Sequence, residues 1–337
     1  MNETMAREIA AQALILPLCV GPLADRMASI ASPQGRIFAG GCGDSAFAPA
    51  ALAGVFDVLR IEVAARTAMH LAAFQNYAPT DTVILTSISG GTRRTLEAAD
   101  AARRGGARVI ALTCKGESPL ALAADDTIVL PFAPISRKTP HTLDYGVTLL
   151  ALTQLALGWS GRGEAALPLD GLTATLDAAR QVAASVATQL NPKGKLFILG
   201  AGPEMATAEY AAAKFHEAGG LPAFAFETEN FVHGANFMVE PEDAIVTFGG
   251  SPAGLRRGTE VIEAFRAYVA CAELILPLTF DGAGWQRAFA NVLSTTFIAQ
   301  YLCLVIADRR GLAVDQPRAG RPDGDQLLAI QSRIMSA

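Results

Sequence analysis

The chain has 337 residues, enough for two cores of about 150 residues each. It is 51% apolar but only 7% aromatic, which excludes a disordered or fibrous protein. A net charge of −5 without a long basic run excludes the electrostatic footprint of a nucleic-acid binder and points to a small-molecule ligand. Cys19, Cys42, Cys114, Cys271 and Cys303 lack the paired spacing of a zinc site or a disulfide framework, so neither metal nor cofactor is expected and a reducing cytoplasm fits.

Residues 4–30 read as an amphipathic helix pair interrupted near Pro17, and the acidic residues near its start argue against a signal peptide. A strand over 36–39, a helix over 46–63, a strand over 82–86, a helix over 92–104 and strands over 108–113 and 126–130 follow. A long apolar helix over 142–159 leads to Ser160-Gly-Arg-Gly-Glu, the best linker candidate. Then come a helix over 172–190, a strand over 196–199, a helix over 205–217, a strand over 244–248, a helix over 258–269, a strand over 273–276 and a helix over 285–309. The end is a tail rich in Pro, Arg and Asp. The apolar stretch 297–307 is interrupted by Gln300 and too short to span a bilayer, so no membrane association is expected.

The chain repeats itself. Residues 36–46 match 195–205, with Gly41 over Gly200 and Gly43 over Gly202, and Asp81-Thr-Val-Ile-Leu-Thr-Ser-Ile-Ser falls over Asp243-Ala-Ile-Val-Thr-Phe-Gly-Gly-Ser. This is a tandem duplication of an α/β domain, with expected units 1–160 and 161–337. Strands alternating with helices imply parallel sheets covered on both faces, with ligands beyond the carboxyl ends of the strands. Only the first copy keeps a serine-rich loop.

That loop, Thr86-Ser-Ile-Ser-Gly-Gly-Thr, sets Ser87, Ser89 and Thr92 between a strand and a helix. Gly90 and Gly91 let the backbone curl around a ligand. Hydroxyls, free amides and a helix N-terminus suit an anion. Helix capping by Ser89 or Thr92 is the plainer alternative, but a cap needs one hydroxyl and this loop has three. Gly40-Gly-Cys-Gly-Asp-Ser is not a dinucleotide fingerprint, because Ala46 stands where a third glycine is required. Ser45 is another candidate phosphate hydroxyl, with capping again the alternative, and Ser118 is a weaker one.

With these motifs the chain resembles the sugar isomerase (SIS) domain family, in particular double-domain members similar to the isomerase half of glucosamine-6-phosphate synthase. Gly41-Cys-Gly-Asp-Ser45, Ser87-Ile-Ser-Gly-Gly-Thr92, Ala213-Lys-Phe-His-Glu217 and His233-Gly234 carry the resemblance over nearly the whole chain. It implies a phosphosugar held by Ser45, Ser87, Ser89 and Thr92, with Cys42, Gly43, Gly90 and Ser118 beside them. It also implies that Glu217 moves a proton between C1 and C2 through a cis-enediol(ate). His233 would open the sugar ring in the site of the neighbouring subunit of a homodimer. A positioned carboxylate is chemically sufficient to remove a proton alpha to a carbonyl.

Glu227 and Glu229 are either sugar ligands or a solvated acidic loop, and His70, His141 and His216 are expected on the surface or behind the site. No Cys follows Met1 and no amidotransferase domain precedes the first copy, so glutamine-dependent amination is not expected. The tail lysine of the synthase is replaced by a stretch offering Arg318 and Arg321, which can supply charge but not trade protons. An aldose/ketose isomerase acting on an amino- or N-substituted sugar phosphate leads. A fructosamine-6-phosphate deglycase, cleaving a sugar-amine conjugate with the same Glu and His, is the nearest rival, and a non-catalytic sugar-phosphate sensor is the alternative of another class.

Overall fold

Four apolar runs, residues 37–41, 82–86, 196–200 and 244–248, are buried along their whole length, as befits strands covered by helices on both faces. The computed structural model describes residues 2–136, 140–191, 193–218, 222–278, 280, 282–318 and 321–336. The first half comprises α1 (Glu3–Met27), β1 (Ile37–Gly41), α2 (Asp44–Ala51), α3 (Ala53–Leu59), β2 (Val63–Thr67), α4 (Ala68–Ala73), β3 (Thr82–Thr86), α5 (Arg93–Arg104), β4 (Arg108–Thr113), α6 (Pro119–Leu122), β5 (Asp126–Val129) and α7 (Leu143–Trp159). The second comprises α8 (Leu172–Gln189), β6 (Leu196–Gly200), α9 (Pro203–Glu217), β7 (Ala223–Glu227), α10 (Thr228–Val232), β8 (Ala244–Phe248), α11 (Pro252–Phe265), β9 (Cys271–Ile275), α12 (Gly284–Arg309) and α13 (Gly324–Ser336).

Both sheets are parallel, with strand orders β2-β1-β3-β4-β5 and β7-β6-β8-β9. The winding direction reverses between β1 and β3, and again between β6 and β8. Such reversals leave a crevice at the carboxyl ends, where the two following loops part. One continuous apolar core joins the halves: α12 packs on α8, α9 and α3, while α2 packs on α9 and α1 on α7 and α8. Gln300 sits fully buried within it, accepting from Gln12 Nε2 at 2.8 Å and donating to the Tyr210 hydroxyl at 2.9 Å, so it ties α1, α9 and α12 together.

Several expected boundaries are corrected. Helix α1 is one helix despite Pro17 and Pro22, because Met5, Ile9, Gln12, Leu16, Cys19, Leu23 and Met27 form a single buried stripe running past both prolines. The helix expected over 46–63 breaks at Leu52 and ends at Arg60, which is left-handed (φ 59°, ψ 41°), so that Val63 opens edge strand β2. Strand β7 was likewise not anticipated. Helix α11 starts at Pro252, six residues earlier than expected, behind a Ser251 N-cap. The tail ends in a helix, α13. Helix α12 is long enough by length and hydropathy to cross a bilayer, but 83% of its most apolar window is buried inside the molecule.

Candidate active site

The two loops leaving the β1/β3 crevice are held together by glycines. A side chain at Gly41 would meet Ser45 Cβ and Thr86 O, both at 2.5 Å, so only glycine lets α2 begin this close to the strand ends. Gly43 (φ 56°, ψ −127°) makes the turn, in a conformation that side chains disfavour. Asp44 and Ser45 thereby occupy the first turn of α2.

In the second loop the Ser87 hydroxyl lies 2.9 Å from the Thr92 hydroxyl and accepts from Gly90 N at 3.1 Å, while Ser89 Oγ accepts from Gly91 N at 3.3 Å. Thr92 stands at the N-cap position of α5, yet its side chain makes no capping bond. Its hydroxyl is directed to Ser87 instead. Arg93 and Arg94, at the start of α5, pair with Glu97. An oxyanion here would meet hydroxyls, amides and a helix N-terminus.

Ser118 has a different role from the one expected. It is buried, it N-caps α6 by accepting from Ala121 N at 3.3 Å, and it packs under Gly90, where a Cβ would approach its Oγ to 2.1 Å. It shapes the serine loop from below rather than lining the pocket.

Ser45, Ser87, Ser89 and Thr92 share one pocket of about 590 Å³ with Cys42, Gly43 and, from the second half of the chain, Glu217. That volume suits a small metabolite. Glu217 closes α9, half-exposed, with its Oε2 2.7 Å from Nζ of Lys214 one turn earlier. Lys214 is completely buried and reaches Asp44 Oδ2 at 2.7 Å and the His141 carbonyl at 3.3 Å. Burial pulls the lysine down, but Asp44 and Glu217 outweigh it and hold the ammonium above its usual range. Burial pushes Asp44 up to about 6, with Lys214 opposing and Glu217 adding to the rise. Asp44 Oδ1 is buried without a hydrogen-bond partner among the described residues.

Helix α7 supplies the opposite wall with Asp144, Tyr145 and Thr148, and His141 lies just before it. Tyr145 stacks on Tyr210 of α9 (centroids 3.9 Å apart), fixing the approach of the two helices. Asp144, itself buried, lies 3.1 Å from His141 Nδ1 and holds the imidazole above its ordinary value against the lowering effect of burial. His141, its side chain partly exposed, therefore belongs to the pocket wall. Lys214, Asp44, Asp144, Tyr145 and Thr148 were not anticipated as site residues. Met335 of α13 also lines the pocket.

The remaining candidates lie elsewhere. His233 is 82% exposed after α10 and does not line its own chain's pocket. Glu227 caps α10, accepting from Glu229 N and Asn230 N, while Glu229 pairs with Arg257 at 2.7 Å on the surface. Arg318 is left-handed (φ 67°) and paired with Asp323. Neither Glu229, Arg318 nor Arg321 reaches the pocket.

The SIS domain family model matches residues 30–158 and 189–256. No curated protein matches the sequence. Among solved structures, a protein from Silicibacter pomeroyi DSS-3 described as a candidate phosphosugar isomerase superposes with TM-score 0.76 at 20% identity, over 92% of this chain and 99% of that one. Glucosamine-6-phosphate deaminase from Thermotoga maritima gives 0.74 at 19% identity, over 94% and 98%. The C-terminal domain of glucosamine-fructose-6-phosphate aminotransferase from Francisella tularensis gives 0.71 at 15% identity, over 94% and 99%. With the family model covering more than half of its residues and both sheets built on the same plan, the chain belongs to the SIS domain family.

Proposed function

We propose that the protein is a phosphosugar aldose/ketose isomerase acting on an amino- or N-substituted sugar phosphate. The observation that carries this reading is the presence of the hydroxyl loop and Glu217 in one pocket. The phosphate sits on Ser45, Ser87, Ser89 and Thr92, within the reach of the loop amides, and the open-chain carbons extend toward α9. Glu217 takes the proton from C2 of the aldose and returns it to C1, while a proton passes to O1 from O2, or from the C2 nitrogen of a 2-amino sugar to give the imine of the ketose; the reverse steps run from the ketose. Lys214 is a positioning residue that keeps the Glu217 carboxylate aimed. His233 of a neighbouring subunit opens the sugar ring, and its exposure on its own subunit accords with that role.

The amino-sugar part rests on the acidic end of the pocket. Asp44, Asp144 and Glu217 line it against one buried ammonium and one imidazole, an environment suited to a cationic nitrogen on the substrate. Two of the proteins of similar fold carry glucosamine in their names, a glucosamine-6-phosphate deaminase and a glucosamine-fructose-6-phosphate aminotransferase. The deglycase reading uses the same residues and the same acidic end. It ranks second because neither Arg318, which is paired with Asp323, nor Arg321 lines the pocket, where a basic residue would hold an amino-acid carboxylate.

Proton NMR in deuterated water with hexose 6-phosphates, amino-sugar phosphates and 6-phosphofructosyl amino acids tests both. Deuterium entering C1 or C2 of one substrate with the wild type and not with Glu217→Gln is the expected result. Release of free amine would transfer the assignment to the deglycase. Exchange by neither protein, with ligand-induced thermal stabilisation retained, would leave a sensor.

A further inference from the structure

The second half of the chain contains the same crevice, built to the same plan. Gly202 (φ 59°, ψ −129°) repeats the turn of Gly43 (φ 56°, ψ −127°) almost degree for degree. Gly200 pairs with Phe248 across β6 and β8 as Gly41 pairs with Thr86 across β1 and β3. Ser251 caps α11 where Thr92 stands before α5. The second residue of the following helix is Ser45 in the first copy and Glu204 in the second. The intervening loop is cut from residues 87–91 to residues 249 and 250, so that Gly249 stands for Ser87 and Ser251, which the sequence match sets over Ser89, takes the cap position held by Thr92.

Glu204 reaches into that shortened loop. Its Oε1 accepts from Ser251 N at 2.6 Å and its Oε2 from Ser251 Oγ at 3.1 Å. The carboxylate is also in contact with the backbone at Gly250 and Gly254, where a Cβ would come within 2.7 Å of Oε1 and 3.2 Å of Oε2 respectively. An anion is therefore bound at the N-terminus of α11, the 14-residue counterpart of α5, and that anion belongs to the chain itself. A cavity of about 120 Å³ beside it is walled by Thr207, Asn291 and Thr295 and by Ala51 and Gly54 of the first half. This mirrors the first pocket, which borrows Glu217 from the second half. Counting from the turn glycine, the position of Glu217 after Gly202 is filled after Gly43 by Val58, which has no proton to carry.

We propose that the Glu204 carboxylate is a built-in substitute for phosphate that occupies the second oxyanion seat, so that each chain takes one phosphorylated ligand, and that removing it opens a second site. The inference rests on the reading of the first serine loop as a phosphate seat. The duplicated fold thus keeps both crevices as structure but limits phosphosugar binding to the one that has the base.

Equilibrium dialysis with inorganic phosphate, paired with crystals soaked in the same anion, tests it in four proteins. The wild type binds one phosphate per chain, and S87A/T92A loses it. E204S, which installs the residue found at the matching first-copy position, binds two. E204S/S87A/T92A binds one, with density within hydrogen-bond distance of Ser251 N. Absence of phosphate from folded E204S/S87A/T92A, judged by circular dichroism, overturns the proposal. So does a wild-type crystal with phosphate on Ser251 N, an arm that decides the matter even if the Glu204 variants fail to fold. Failure of the wild type to bind phosphate at all, with binding to E204S/S87A/T92A, would sink the reading of the first loop while upholding the assignment of Glu204.

Discussion

Asp44 opens α2 in the first half of the chain and Glu217 closes α9 in the second, yet their carboxylates share one ammonium: Lys214 Nζ is 2.7 Å from each. The lysine is fully buried, Asp44 one-fifth exposed and Glu217 nearly half exposed. Water therefore screens the Glu217 contact more than the Asp44 contact, and the Asp44–Lys214 pair is the costlier one to break.

Replacing Lys214 by methionine keeps the length of the side chain and leaves Asp44 buried without its counter-ion. The expected loss is about 3 kcal/mol or more of unfolding free energy, together with a fall in turnover, since Glu217 loses its positioning partner. D44N/K214M removes the orphaned charge, so it should recover much of the stability without the activity. Urea denaturation of the three proteins checks this; a K214M variant as stable as the wild type would show that the pair contributes little.

Burial of Asp44, opposed by Lys214, gives stability a pH dependence of defined sign. Asp44 rises from its ordinary 3.8 to about 6 in the folded chain, so between those values the folded state binds the proton more tightly than the unfolded one. The stability this provides is fully present below 3.8 and is lost as pH rises through about 6. Melting temperatures measured across this window should fall more steeply with rising pH in the wild type than in D44N. Parallel curves would remove Asp44 as the titrating group.

Thr92 and Ser118 both precede helices, but only Ser118 makes a capping bond. S118A should lose about 1 kcal/mol of stability and leave the ligand contacts in place. T92A should cost less than about 0.5 kcal/mol in stability, because its hydroxyl satisfies no helix amide, yet weaken a phosphorylated ligand by roughly tenfold, as a hydrogen bond to a charged group requires. Thermal melts and ligand titrations separate the two. Equal stability losses would mean that Thr92 is a cap after all.

What the sequence revealed of this site was what local chemistry determines. A glycine turn after an apolar strand, and three hydroxyls before a helix, placed Ser45, Ser87, Ser89 and Thr92 without any knowledge of packing. Asp144, Tyr145 and His141 become site residues only because α7 crosses α9 at the Tyr145–Tyr210 stack, a contact between distant segments that no local pattern encodes. Lys214 did carry a signal: it follows Tyr210 by four residues on the buried face of α9, and a lysine there must find carboxylates. Ser251-Pro252 was a legible helix start, a capping serine before a proline at the first helical position, and β7 showed the two-residue alternation of a strand in Ala-Phe-Ala-Phe. Strand β2 had no such alternation, and its edge position left it too exposed to read as a continuous apolar run.

The exposure of His233 yields the sharpest test of the site's composition. If His233 serves the neighbouring subunit, an E217Q chain and an H233A chain are each inactive alone, but a hybrid dimer contains one site with both Glu217 and His233 intact. Random reassortment of equal amounts should therefore restore about a quarter of wild-type turnover, since half the dimers are hybrids with one working site of two. If the residues act within one chain, every site in the hybrid lacks one of them and mixing restores nothing. Differently tagged chains, unfolded and refolded together, give the answer by isomerase assay: about a quarter of wild-type turnover in the mixture and about half in hybrids purified from it. Inactive hybrids would mean that His233 serves its own chain and not the neighbouring subunit.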